Sequence, residues 1–119
     1  MTPIYHAKIN VKKWGGVLED YLPIHNFLDQ TKSAHADMRH RALLHNSLGP
    51  TIIESVFGQY ITNTNGKVVP TRLIAERHII EDLGFIPNVS DYLNEMKLTP
   101  WMMGAKKKKN NIVNIIDEE

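Results

Sequence analysis

A chain of 119 residues with 42% hydrophobic and 23% charged side chains has the size and composition of one globular domain, which excludes wholesale disorder. Its 14 Lys+Arg against 13 Asp+Glu leave a formal charge of +1, so no whole-molecule argument for nucleic acid or a membrane surface can be made. With no cysteine, disulfides and thiolate metal sites are excluded, a reducing compartment is fitting, and any metal would have to find His, Asp or Glu.

No apolar run nears the roughly 20 residues of a membrane span, and "MTPIYHAKINVKKWGG" has no signal-peptide hydrophobic stretch, so the expectation is a cytoplasmic protein without a membrane partner. Ile4, Ala7, Val11 and Trp14 recur at helical spacing and predict a first helix over about Thr2 to Lys13, ended by Gly15-Gly16. "EDYLPIHNFLDQTK" predicts a second, with Asp20 as its cap and Pro23 in its first turn. Ser33 offers a cap to a long helical stretch from Ala34 to Phe57, with a kink or break expected at Gly49-Pro50 because proline lacks the amide donor.

The period then changes. Tyr60, Ile61, Val68 and Val69 flank Asn65-Gly66, and a two-residue turn there, with both central residues at positive φ, predicts a hairpin near 59–69. "TRLIAERHIIEDLG" is a helix with Thr71 as cap and Gly84 as stop, and "IPNVSDYLNEMK" adds a short one from about Ser90. The fold class expected is mainly α, a compact helical domain with one small β-hairpin. Residues 1–104 form that single domain, and 105–119 a Lys-rich flexible tail.

The chemistry lies in the histidines. A helix running through "SAHADMRHRALLHNS" puts Met38, Ala42, His45, Gly49, Ile52, Ile53 and Val56 on one face, with His35 at its margin and His40 pointing away. In the second helix His25 shares the inward face with Tyr21 and Leu28, and Asp29 is its i+4 neighbour. His78 and Asp82 repeat that spacing. Helix two folding back over a short Gln30-Thr31-Lys32 connection would bring Asp29 near His35.

His25, Asp29, His35, His78 and Asp82 are therefore the candidate ligands of a divalent metal. Mixed nitrogen and oxygen donors suit zinc, manganese, iron or nickel better than calcium. Beside this stand two other readings, hydrogen-bonded His-carboxylate pairs with a purely structural role and a metal-free polar site. His6 and His40 read as surface or capping residues, and Asp37 as the partner of Arg41. Arg72 and Lys32 are the candidate cations for offsetting phosphate charge, with Arg39 and Arg77 close by. Trp101, Met102 and Met103 read as core or a docking lid. Lys106, Lys107, Lys108 and Lys109 could meet a nucleic-acid backbone or serve as a solubilising segment.

Taken together, "GGVLEDYLPIHNFLDQTK", "DMRHRALLHNSLG", "ITNTNGKVVP" and "AERHIIEDLGFIPNVSDYL" resemble a family of small bacterial and tailed-phage proteins, a domain of unknown function, from about His6 to Leu93. The resemblance implies a domain outline and no activity; Pro50 and the lysine run depart from its pattern. A looser likeness to the His/Asp metal-dependent phosphohydrolases implies helices that pool His and Asp, although the adjacent His-Asp doublet of that group is missing and "HAD" at His35 to Asp37 is the nearest text. The function expected first is a divalent-metal site working as a phosphoester hydrolase on a phosphate-containing small molecule or nucleotide. The alternatives are a non-catalytic phage or bacterial accessory protein that binds a nucleotide, nucleic acid or host protein, and a structural helical domain that oligomerises through an apolar face.

Overall fold

A computed structural model of the chain describes residues 1–105, so Lys106 to Lys109 and the apolar residues beyond them lie outside the described residues. The fold is mainly α with one two-stranded antiparallel ribbon, as expected. Helix α1 spans Pro3–Trp14: the Thr2 hydroxyl accepts from the Tyr5 amide, Pro3 sits where a helix needs no donor, and Gly15 at φ 82° ends it. Helix α2 spans Leu18–Asp29. Asp20 is not its cap residue but lies within the first turn, accepting from the Val17 amide at 2.8 Å, so the helix starts earlier than expected and Pro23 falls inside it.

The largest departure from expectation follows α2. Instead of one long helix, the chain makes a 3-10 turn at Gln30–Ser33, another at Met38–His40, a single α-turn α3 over Arg41–Leu44, and then helix α4 over Gly49–Phe57. The break falls at His45–Leu48, ahead of Gly49-Pro50, and Pro50 opens α4 rather than kinking a helix. Asn46 makes the break tolerable. Its side-chain amide donates to the Ala42 carbonyl at 2.8 Å, and its oxygen accepts from the Leu48 and Gly49 amides at 2.8 and 3.2 Å, so it serves the end of one helix and the start of the next. With the helix broken, the expected inward face dissolves: Met38 is 65% exposed, Val56 is exposed too, and His40 turns inward.

Strands β1, Tyr60–Thr62, and β2, Val68–Pro70, pair with Ile61 opposite Val69. The turn is longer than the expected two residues. Asn63 and Lys67 close it, the Gly66 amide donates to the Asn63 carbonyl at 2.9 Å, and Gly66, at φ 83°, is the last residue of that turn rather than half of its centre. Helix α5 runs Thr71–Leu83; Thr71 is its first residue rather than its cap, with Pro70 at the cap position and the Thr71 hydroxyl donating to the Gly58 carbonyl, and the helix ends at Gly84 with φ 85° as expected, while α6 spans Val89–Leu93.

Helix α1 packs on α2, α2 on α5, and α4 on α5. Ile24, Leu28, Ile53, Ile74 and Ile79 fill the space between them, with Tyr21 and Val69 towards the ribbon. Trp101 and Met103 are exposed and so do not join that core. What distinguishes the interior is its polarity: His6, Asn10, His25, His40, His45 and His78 are all buried, which leaves His35 as the one exposed histidine of the chain's six.

Candidate metal centre

Three segments bring four donor atoms together. Asp29 stands at the C-terminal end of α2, His45 at the first residue of the break after α3, and His78 and Asp82 one turn apart on the inward face of α5. His78 Nε2 is 3.1 Å from Asp29 Oδ1, 3.3 Å from Asp82 Oδ2 and 3.2 Å from His45 Nε2. His45 Nε2 is 2.9 Å from Asp82 Oδ2 and 3.5 Å from Asp29 Oδ1. The side chains of His45 and His78 are 0% exposed, Asp82 2% and Asp29 9%, so the cluster is closed. Such a group could hold a metal ion.

The break positions His45. With ψ at 61°, His45 leaves helical geometry, and its carbonyl accepts from the Tyr92 hydroxyl at 2.8 Å while the Ser47 amide donates to the Pro87 carbonyl at 2.8 Å. The segment around α6 thus buttresses the turn that carries a donor atom. Gly49 completes the arrangement, since a Cβ built there would lie 2.0 Å from the Leu44 carbonyl oxygen.

Around the four donors lies a second layer. His25 places Nδ1 2.9 Å from His78 Nδ1 and Nε2 against Asn10 Oδ1. His6 stacks on His78 with ring centroids 3.8 Å apart, holds Glu81 Oε1 at 2.7 Å through Nδ1, and has Nε2 3.2 Å from Asp82 Oδ1. The amino group of Met1 also lies 3.2 Å from Asp82 Oδ1. Asp29 Oδ2 is buried with no hydrogen-bond partner among the described residues.

The electrostatics follow from this crowding. Burial and then the neighbouring His78 and His6 push His25 down to about 3, so it is neutral. Burial likewise lowers His45 despite its bond to Asp82. For His78 burial acts in the same sense, but the hydrogen bonds and charges of Asp29 and Asp82 outweigh it and raise the pKa. Asp82, although burial opposes its charge, is held far below the usual carboxylate range by His45, His6 and His78, and Asp29 is lowered chiefly by His78 against the same opposition. Two carboxylates therefore stay ionised in a closed pocket, where unpaired charge is costly.

Of the five residues expected as ligands, His25, Asp29, His78 and Asp82 are gathered here and His35 is not. His35 lies on the surface between the two 3-10 turns, 48% exposed, with Nε2 3.0 Å from Asp37 Oδ1. Asp37 is bound by Arg39 through a 2.7 Å contact, and not by Arg41. His25 touches His78 rather than the other three donors, and Asp29 reaches across to α5 instead of pairing with its helix neighbour. His45, an inward candidate by its spacing but not among the expected ligands, supplies the fourth donor, and His6 and His40, expected as surface or capping residues, are buried.

Arg72 and Lys32 are elsewhere. Arg72 is bound to Glu54 at 2.8 Å and stands 3.8 Å from Glu76, while Lys32 is exposed in the first 3-10 turn. Among the described residues no helix is long and apolar enough to cross a membrane.

The chain belongs to the family described as a domain of unknown function, DUF6915, whose profile matches residues 1–102. Neither a curated protein nor a solved structure matches it.

Proposed function

We propose that the protein is a divalent-metal-binding domain whose ion is held by Asp29, His45, His78 and Asp82 and clamps α2, the turn after α3, and α5 together. The observation that carries this is the spacing of the donor atoms. A tetrahedral centre with bonds of 2.0–2.1 Å has edges of about 3.4 Å, and five edges here run 2.9, 3.1, 3.2, 3.3 and 3.5 Å. Protons satisfy such a group poorly, because the two imidazole nitrogens face each other as well as both carboxylates, whereas one cation satisfies all four atoms at once. Two carboxylates and two neutral imidazoles also balance a doubly charged ion, which leaves the buried site neutral. Nitrogen and oxygen donors in fourfold arrangement favour zinc within the zinc, manganese, iron and nickel group.

A closed four-ligand site is the pattern of a structural metal; a catalytic one keeps a position open. Phosphoester hydrolysis would need that position and a free cation near it, and Arg72 is engaged with Glu54. The metal site, without the hydrolase extension, is therefore the function supported best. For a non-catalytic accessory role, the groove of about 700 Å³ beside Tyr92, walled by Leu43, Leu48, Leu93 and Met96, suits apolar protein side chains better than phosphate.

The test is elemental analysis of protein purified without a histidine tag, with X-ray absorption at the edge of whatever metal is found. One ion per chain with two imidazoles in its coordination shell is expected. Protein that carries no stoichiometric metal, and takes up none of zinc, manganese, iron or nickel, would overturn the proposal.

A further inference from the structure

Asn10 and His25 stand behind His78, buried and facing away from the carboxylates. We infer that they are positioning residues which hold His78 in the tautomer that leaves its Nε2 bare towards Asp29, His45 and Asp82; this rests on the metal site proposed above and adds how one of its ligands is set.

Asn10, His25 and His78 form one hydrogen-bonded line. Asn10 presents its side-chain oxygen to His25 Nε2. An amide oxygen carries no hydrogen, so the hydrogen of that bond belongs to His25 Nε2. A neutral imidazole protonated at Nε2 has a lone pair at Nδ1, and a nitrogen with a lone pair can only accept. The hydrogen between His25 Nδ1 and His78 Nδ1, 2.9 Å apart, therefore belongs to His78. In the neutral ring His78 Nε2 is then the nitrogen left without a hydrogen, and it is the one that points at Asp29 Oδ1 and Asp82 Oδ2, 3.1 and 3.3 Å away.

The geometry suits this assignment. The His25 and His78 rings are inclined by only 18° with centroids 5.1 Å apart, so the N–H bond and the lone pair that receives it lie near a common plane. His6 covers the face of the His78 ring at 3.8 Å and prevents it from tipping. A bare nitrogen set against two carboxylates is acceptor against acceptor, and a positive charge resolves it: a proton on Nε2 in the metal-free protein, which the carboxylates favour, and the metal ion in the filled site. An imidazole or amide behind the ligand, unlike a carboxylate, fixes the tautomer without adding charge to a site already neutral once filled.

The experiment uses the full chain with ¹⁵N-labelled histidine, read by NMR at neutral pH before and after zinc. His25 should carry its hydrogen on Nε2 in both states, and zinc should shift His78 Nε2 while His78 Nδ1 keeps its hydrogen. A His25 hydrogen found on Nδ1 reverses the line and overturns the inference. Asn10→Leu, which keeps the size and removes the acceptor, should weaken zinc binding about 10–100-fold, the range typical of lost outer-shell partners. Unchanged zinc affinity in the folded variant would also overturn it, and if the variant does not fold, the tautomers of the unmodified protein decide. Should the unmodified protein take up no zinc, the metal site falls, and the His25 tautomer then decides by itself whether the Asn10–His25–His78 line stands.

Discussion

Removing one carboxylate should uncouple the stability of the protein from metal. Asp82 Oδ2 lies 2.9 Å from His45 Nε2 and 3.3 Å from His78 Nε2, so it contributes to the edges on which the proposed centre rests. An ion that binds only the folded chain stabilises it by about 2.7 kcal/mol when present at a hundred times its Kd. For a domain of 119 residues, with roughly 4 °C of Tm per kcal/mol, that is an increase of about 10 °C. Scanning calorimetry of chelator-treated protein, with and without zinc, should show this rise in the unmodified chain and little or none in Asp82→Ala. Asp82→Ala will lower the metal-free Tm as well, because a charged His78 loses one of its two carboxylate partners. The quantity to compare is therefore the zinc-dependent increment, from which that loss cancels. An equal increment in both proteins would refute the reasoning and point to zinc bound elsewhere, for instance at the exposed His35 and Asp37 pair.

Zinc affinity should fall about tenfold per pH unit below the raised pKa of His78, because one proton is displaced there; His45, lowered by burial, adds none, and a hundredfold slope in titrations would contradict this. In the metal-free protein, stability should rise as pH drops through the raised pKa of His78 towards the unfolded value of 6.5, since the folded state then binds more protons. Below 6.5 the sign reverses, because His25 stays neutral in the fold down to about 3 and only the unfolded chain gains its proton; urea midpoints that stay flat from pH 8 to pH 4 would count against both assignments. Gly49→Ala should destabilise by about 1–3 kcal/mol or more by forcing a Cβ onto the Leu44 carbonyl, and should weaken zinc uptake by moving the His45 turn; a Tm within 1 °C of the unmodified protein, on the order of 0.3 kcal/mol, would show that the backbone yields cheaply. His35→Ala and Lys32→Ala should leave the zinc dissociation constant unchanged in titration calorimetry, since both side chains are exposed and outside the cluster.

Much of the fold was legible because it follows local rules. The spacing of Ile4, Ala7, Val11 and Trp14 with the stop at Gly15 marks α1, Gly84 ends α5 through a positive φ, and the change of period around Gly66 announces the ribbon. Between Ala34 and Phe57 those rules failed. Its apolar residues keep helical spacing, yet the helix breaks, because Asn46 satisfies carbonyl and amide groups on both sides of the gap and the Tyr92 and Pro87 contacts come from residues forty or more positions away. A helical wheel drawn through the gap puts Met38 inside and His40 outside, the reverse of what the structure shows.

The site was half legible for a related reason. His78 and Asp82 lie one turn apart on a regular helix, so their spacing translates directly into a shared face. Asp29 is brought into the same cluster, but its partner is across the fold rather than along its own helix. His6 and Asn10 occupy the inward face of α1 beside Ala7, and a count that equates polar with exposed places them in solvent. The signal that could have found them is that same i, i+4 spacing of two polar groups, flanking a small residue on a helix whose lysines take the other side. A face of that kind has no hydrophobic reason to be buried, so it folds inward only where another buried polar group needs it, and here those groups are Glu81 and Asp82 for His6, and His25 for Asn10. Polar residues at helical period on an otherwise amphipathic chain with abundant histidine thus mark a second polar layer around the first, which is where the outer partners of a metal ligand are to be sought.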